Sequence, residues 1–442
     1  MDNDTITVGP VARAARIQAL DILRGVAILG ILLMNIPEMG LQGDWAKPQL
    51  PAVANLDWIT FLIQDVGFAG TMRGLFTLLF GAGMVIMLRR PDLERETAAL
   101  QAYYTRCFAL IVLGVANFAI FIWPGEILFS YGVCGLVLPL FRKAPTRMLL
   151  TAAAAMLLVM TTALIVPAFK SAEVQRQADA AVAAKAAGKT PTPEQKKALE
   201  KREARIKDLT SQEARAKERE TRTHLATLVP WSVQTWSRFN LDLNEDAHIW
   251  LLESLSFMLL GVALFQTGVL TGERPASTYW TLLGVGLVAG LALRGGLDWV
   301  RWRAGFLPSA AVPPLTMGTY ELGRLFMTLA WLGGLSLLIK AGWLGALGRV
   351  LAQVGRMALT NYILQSIVTS IFFYAFGFYD RFGFAQLMGI AALIWVGQSI
   401  FSVLWLKAFE MGPAEWLLRS LTYGTWRTMR RPTLAATPLP AE

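Results

Sequence analysis

Histidine and cysteine are almost absent: the 442 residues contain two of each. Cys107 and Cys134 sit inside apolar runs without metal-ligand spacing, so no disulfide framework is expected and both read as small core residues. With only His224 and His248 available, a histidine-rich metal centre is excluded and no metal is expected. Charge is scarce too, at 16% of the chain, whereas average globular chains are about one quarter charged. That depletion excludes a disordered chain and an ordinary cytosolic enzyme.

Apolar residues fill the space, at 55% of the chain with a mean hydropathy of +0.46. Ten apolar segments fall near 22–38, 68–88, 103–123, 125–141, 148–168, 248–268, 278–298, 318–339, 357–377 and 385–409. Several approach the roughly 20 residues that a helix needs to cross a bilayer. The fold class expected is all-α: a polytopic membrane protein with about ten transmembrane helices, its main partner the lipid bilayer.

The net charge of +10 is no nucleic-acid signal, because residues 170–223 hold 14 Lys/Arg and 9 Asp/Glu of the chain's 72 formal charges. Elsewhere the basic residues gather in alternate connections: Arg89, Arg90 and Arg95; Arg142, Lys143 and Arg147; Lys340, Arg349 and Arg356; then Arg419, Arg427, Arg430 and Arg431. Cytoplasmic connections are enriched in such residues, so both termini are expected in the cytoplasm. The chain then divides into a cytoplasmic segment 1–21, a first transmembrane half 22–169, a charged insertion 170–247, a second half 248–411, and an interfacial amphipathic helix with a tail at 412–442. Within the insertion, two stretches of good helix formers flank Gly188 to Pro193, which reads as a helical hairpin or extended arm without a core of its own. Trp231, Trp236 and Phe239 mark its return to the interface.

Ionisable groups inside apolar spans cost roughly 2.5–3.5 kcal/mol at the bilayer centre, which makes them functional candidates. Asp21 and Arg24 have pairing spacing at the start of the first segment, and Asn35 and Glu38 share a face further along it. Arg73, Arg106 and Asn117 follow, then Glu253 and Gln266, Arg294 with Asp298, Glu321 with Arg324, and Arg356 with Asn361 and Gln365. Glu126, after the Pro124–Gly125 turn, has no opposite charge nearby in sequence and needs a spatial partner, water or a proton. His248 stands beside Glu245 and Asp246, either as a base or as a solvated interfacial residue.

Several blocks together resemble the YeiB-type bacterial membrane proteins. They are Leu20-Asp21-Ile22-Leu23-Arg24-Gly25 with Asn35, Leu75 to Gly83, Gly125-Glu126-Ile127-Leu128 with Tyr131-Gly132, Gly355 to Tyr362 with Gln365, and Gly412-Pro413-Ala414-Glu415-Trp416 with Arg419. The opening block is also distantly similar to heparan-α-glucosaminide N-acetyltransferase-like membrane acyltransferases. That likeness implies a bacterial inner-membrane enzyme passing an acyl group from cytoplasmic acyl-CoA, such as acetyl-CoA, to an extracytoplasmic acceptor. Asn35 stands where the O-acyltransferase pattern has its catalytic His, residues 36–70 contain no His, and position 117 is Asn where some relatives have His. Such an enzyme would work without the usual histidine.

On that reading Arg24, Arg73, Arg106 and Arg356 hold the acyl-CoA phosphates. Asn35 and Asn117 position the acyl carbonyl, with Glu126, Glu38 or His248 as the base, and Asp21, Asn361 and Gln365 contact substrate. The competing expectation is a transporter or permease for a small molecule or lipid, with buried carboxylates and arginines lining its path. A homo-oligomer is compatible with either.

Overall fold

Apolar segments this long must satisfy their own backbone in lipid, which leaves the helix as the available solution. The computed structural model describes residues 18–41, 55–88, 93–303, 314–426 and 428–431. Arg89, Arg90, Arg427, residues 1–17 and the tail from 432 therefore lie outside the described residues. Among the described residues every regular element is helical, apart from one isolated bridge between Phe409 and Arg430.

Among the described residues nine helices are long and apolar enough to cross a membrane. They are α1 (Gln18–Gly40), the interrupted pair α2 (Leu56–Gly67) and α3 (Thr71–Leu88), α4 (Leu93–Phe121), α6 (Thr146–Ala186), α10 (Ala247–Gln266), α11 (Ala276–Arg303), α12 (Pro314–Lys340), α14 (Ala358–Ser370) with its π-helical extension Ile371–Ala375, and α15 (Phe384–Ala408). The segment expected near 125–141 becomes the shorter α5 (Leu128–Val137) with a 3₁₀ turn at Leu138–Phe141. Its shortness has a local cause. After α4 the chain turns back through Ile122 at φ 54° and the Pro124–Gly125 turn, so that Glu126 comes to lie against Gly114, well inside the end of α4. There Glu126 Oε2 accepts the amides of Leu128 and Phe129 and caps α5. The space left above α5 is filled by α9 (Leu225–Asn240), whose Trp236 stacks on Phe118 with ring centres 4.9 Å apart.

The charged insertion differs from its expected form in one respect. The span near 148–168 does not stop at the bundle: α6 continues to Ala186, which makes it about 60 Å long at 1.5 Å per residue. Beyond Gly188, α7 (Pro193–Thr210) begins with a capping box between Thr192 and Gln195 and folds back on α6. Contrary to the expectation of a coreless arm, Val174, Ala178, Ala181, Ala198 and Leu199 form a narrow apolar seam, flanked by an Arg202–Asp179 ion pair. α8 (Gln212–Thr223) then ties the arm to the bundle through Arg215 and Asp380, 3.3 Å apart, and through Arg222. Arg222 donates to the Glu38 carbonyl and the Tyr374 hydroxyl, and its guanidinium lies 3.8 Å from the Trp231 ring centre. We call this side of the bundle the insertion end.

Small residues let the helices meet at backbone distance. Gly81 of α3 lies on the Met258 carbonyl of α10 while Gly261 lies on the Leu78 carbonyl. The same reciprocal arrangement joins α1 to α13 (Gly345–Arg356), with Gly25 on the Leu351 carbonyl and Gly355 on that of Asp21. At the opposite end α16 (Pro413–Tyr423) follows α15. Glu415 of α16 accepts the amides of Leu359 and Thr360 and the Thr360 hydroxyl, capping α14. Burial pushes the Glu415 carboxyl above its ordinary range despite those bonds.

Candidate functional site: a charged junction at a broken span

The α2–α3 span breaks at Phe68–Gly70, level with the middle of α1, where Gly30 meets Met72. Gly70 adopts φ +71° against the Arg324 side chain, a conformation and a space that only glycine fits without strain. A break inside a bundle frees backbone groups that need new partners. Trp331 Nε1 donates to the Gly67 carbonyl at 2.8 Å, Arg294 Nη2 to that of Asp65 at 2.5 Å, and the Thr328 hydroxyl to that of Thr71 at 3.3 Å.

Around this break four spans place charges inside the bundle. Arg73, in the first turn of α3, donates to Glu253 of α10 at 2.5 Å while its guanidinium lies 4.0 Å from the Trp250 ring centre. Arg324 of α12 is fully buried and bridges Glu253 at 2.8 Å and Glu321 at 2.5 Å. Arg294 of α11 pairs with Asp65 of α2 at 3.5 Å. The spacing suggested Arg294 with Asp298; instead Asp298, 1% exposed, adjoins Asp65 and its ion pair is with Arg301 at 3.7 Å. Glu321 with Arg324 does pair as its spacing suggested.

The charges balance, but the hydrogen bonds do not. The Nε atoms of Arg73, Arg294 and Arg324, Nη1 of Arg294 and both Asp298 oxygens have no hydrogen-bond partner among the described residues. Buried polar groups of this kind are rarely left unsatisfied, and guanidinium forks are suited to carboxylate or phosphate. On the insertion side the junction is covered: Phe239 of α9 packs on Trp250, which lies over Arg73. Towards the opposite end, the Thr77 hydroxyl bonds that of Tyr131, and Tyr131 packs on Phe76 and Phe80.

Glu253, Arg294, Asp298, Glu321 and Arg324, singled out as ionisable groups in apolar spans, meet in this junction, and of the residues given an acyl-transfer role Arg73 alone joins them. The other three arginines expected at a phosphate site do not converge on it. Arg24 pairs with Asp21 at 3.0 Å, Arg356 donates to the Glu410 carbonyl at 2.9 Å, and Arg106 faces Met87 and the Phe80 ring. Asn35 is buried, whereas Glu38 on the same helix is exposed, so the two do not line one cavity. Glu126 finds its spatial partner in Trp236, whose Nε1 donates to Oε1 at 3.3 Å. His248 is half-buried, with Nδ1 lacking a hydrogen-bond partner among the described residues.

Asn117, Asn361 and Gln365 belong to a second, uncharged layer. Asn117 donates to Ser366, Asn361 to Ser402 and the Val354 carbonyl, and Gln365 to the Ile28 carbonyl and to Gln398. Gln398 completes the layer by donating to the Asn361 carbonyl at 2.7 Å. Among the described residues no group of three His, Cys, Asp or Glu side chains is placed to hold a metal ion.

Fold and junction together define a multi-pass helical membrane protein with balanced charges held inside the bundle. Residues 264–425, which include Arg294, Glu321, Arg324 and the α14–α15 part of the uncharged layer, match a family described as protein of unknown function DUF418. The chain is 28% identical to the uncharacterized protein YxaH of Bacillus subtilis (strain 168), over 96% of its own length and 98% of that relative. It is 29% identical to the uncharacterized protein YeiB of Escherichia coli (strain K12), over 91% and 95% respectively. A third relative, an uncharacterized 39.9 kDa protein in an amylase 3' region of Bacillus acidopullulyticus, is 26% identical over 94% and 96%. The likeness to YeiB-type proteins that the motifs suggested therefore recurs as a similarity over nearly the whole chain. No solved structure matches the chain.

Proposed function

We propose that the chain is a carrier of the bacterial inner membrane, with both termini cytoplasmic, that moves a small solute bearing a carboxylate or phosphate group. The observation that supports it is the broken α2–α3 span with buried Arg73, Arg294 and Arg324 at the break, the Nε of each and Nη1 of Arg294 lacking a hydrogen-bond partner among the described residues. Carriers place solute near the bilayer midplane against interrupted helices, where freed backbone and half-helix ends meet the ligand. An entering anion would take up the unused guanidinium donors, and Glu253, Glu321 or Asp298 would carry the compensating proton. The test is purified protein in liposomes, challenged in turn with mono- and dicarboxylates and phosphate esters under an imposed gradient. The reading expects saturable uptake of at least one class that Arg294→Lys abolishes, since a lysine keeps the charge but not the fork. Uptake of none of them would refute it.

Acyl transfer from cytoplasmic acyl-CoA to an extracytoplasmic acceptor is the second reading, and what favours it is the first-helix motif with its Asp21–Arg24 pair. Arg24 and Arg356 would contact the donor's phosphates, and Asn35 and Asn117 would orient the acyl carbonyl. Glu126 would be the base once Trp236 releases it. Calorimetric titration with acetyl-CoA decides this reading: saturable binding lost in Arg24→Ala and Arg356→Ala supports it, and binding unchanged in both rejects it.

A further inference from the structure

Between α2 and α11 the bundle surface opens into a groove of about 530 Å³, whose wall of Trp58, Leu62, Val66, Leu291, Gly295 and Trp302 is almost wholly apolar. Its dimensions fit half a bilayer. From Leu291 to Trp302 the helix rises about 16 Å, close to half of a hydrocarbon core about 30 Å thick. Its deep limit is Gly67, at the broken span, and its shallow limit is at the insertion end, where Trp58, Trp299 and Trp302 lie. Tryptophan rings prefer the level of lipid headgroups, so the groove runs from headgroup depth to the midplane.

Two glycines keep the groove wide. A Cβ added at Gly67 or Gly295 would meet nothing within 4 Å, so packing between the two helices is not what requires them. Past the tryptophans the helix ends in Arg301 and Arg303. Arg303 is exposed and has no ion pair among the described residues, and Arg301 reaches Asp298 only at 3.7 Å. An apolar slot one leaflet deep, aromatic at headgroup level and basic just above it, matches one ligand in length, polarity and charge.

We propose that this groove holds one acyl chain of an anionic phospholipid from the leaflet at the insertion end, with the lipid phosphate at Arg303. The site stands whether or not the charged junction moves a solute. It also brings the chain terminus beside Gly67, so an occupied groove buttresses the break in the α2–α3 span.

The test is native mass spectrometry of the full chain in mild detergent, offered equal amounts of phosphatidylglycerol and phosphatidylcholine. The expected result is one retained phosphatidylglycerol. Gly295→Leu, which fills the slot, lowers that retention about tenfold. Val66→Trp, which fills it from the facing helix, does the same and guards against a folding defect in either variant. Arg303→Gln leaves a lipid bound but removes the preference for phosphatidylglycerol. Retention by both slot-filling variants equal to the parent overturns the site. A parent that retains no lipid above the filled variants, or retains both lipids equally, overturns it as well.

Discussion

Two polar regions cross this bundle, and they solve the problem of burial in opposite ways. In the layer shared by α1, α4, α14 and α15, amides and hydroxyls pair with one another and with backbone carbonyls: Gln365 with Ile28 and Gln398, Asn361 with Ser402. Neutral groups that find such partners join helices at a modest gain, about 0.6 kcal/mol on average per interhelical bond. The junction of α2, α3, α10, α11 and α12 instead buries full charges, which costs several kcal/mol per ion before pairing returns any of it. Both regions leave buried polar atoms without a hydrogen-bond partner among the described residues, Asn117 Oδ1, Asn361 Oδ1 and Gln365 Oε1 in the layer; in the junction the unused atoms belong to charged groups. A bundle that needed only adhesion has the cheaper device in its other half, which is why the proposed function is placed at the charged junction.

That contrast can be broken most severely at Arg324. Arg324→Leu strands Glu321 in the interior, leaves Glu253 to Arg73 alone, and is expected to destabilise by about 3–5 kcal/mol, seen as loss of monodisperse protein on size exclusion. Arg324→Gln combined with Glu321→Gln should recover much of the yield, because fewer unpaired charges remain. Gly70→Ala forces a left-handed backbone and a clash with Arg324, an expected cost of about 1–3 kcal/mol in the thermal melting of the detergent-solubilised protein. Gly397→Ala, on α15 and with open space around it, should leave the melting temperature unchanged or slightly raised.

Smaller effects sharpen the same comparison. Gln365→Leu in the neutral layer removes two interhelical bonds and should cost about 1.2 kcal/mol in the same melting assay. Trp236→Phe keeps the stack on Phe118 but loses the bond to Glu126, an expected loss of about 1 kcal/mol together with faster carbodiimide labelling of Glu126.

Much of this architecture could be read from the residues in order. Spans announce themselves by apolar length, the break in the charged insertion by Gly188 to Pro193, and the Glu321–Arg324 pair because residues three apart on a helix share a face. The charged junction could not be assembled that way. Arg73 and Glu253 are 180 residues apart, and no periodicity relates positions on different helices. α2 was missed as part of a span because Asp57, Gln64 and Asp65 interrupt its apolar run, and those polar groups are there to reach neighbours: Gln64 donates to the Leu33 carbonyl and Asp65 pairs with Arg294. The glutamate of the Gly412–Trp416 block was visible as a motif, yet its role as a cap on α14 depends on a contact across 55 residues.

The most direct test sets the two regions against each other in one flux assay. Parent, Arg294→Lys and Gln365→Leu proteins would be reconstituted at matched, monodisperse amounts, and uptake of the transported anion would be measured under an inward gradient. The account predicts that Arg294→Lys loses uptake while Gln365→Leu retains it. Retention in Arg294→Lys, or equal loss in both, would contradict the assignment of function to the charged junction.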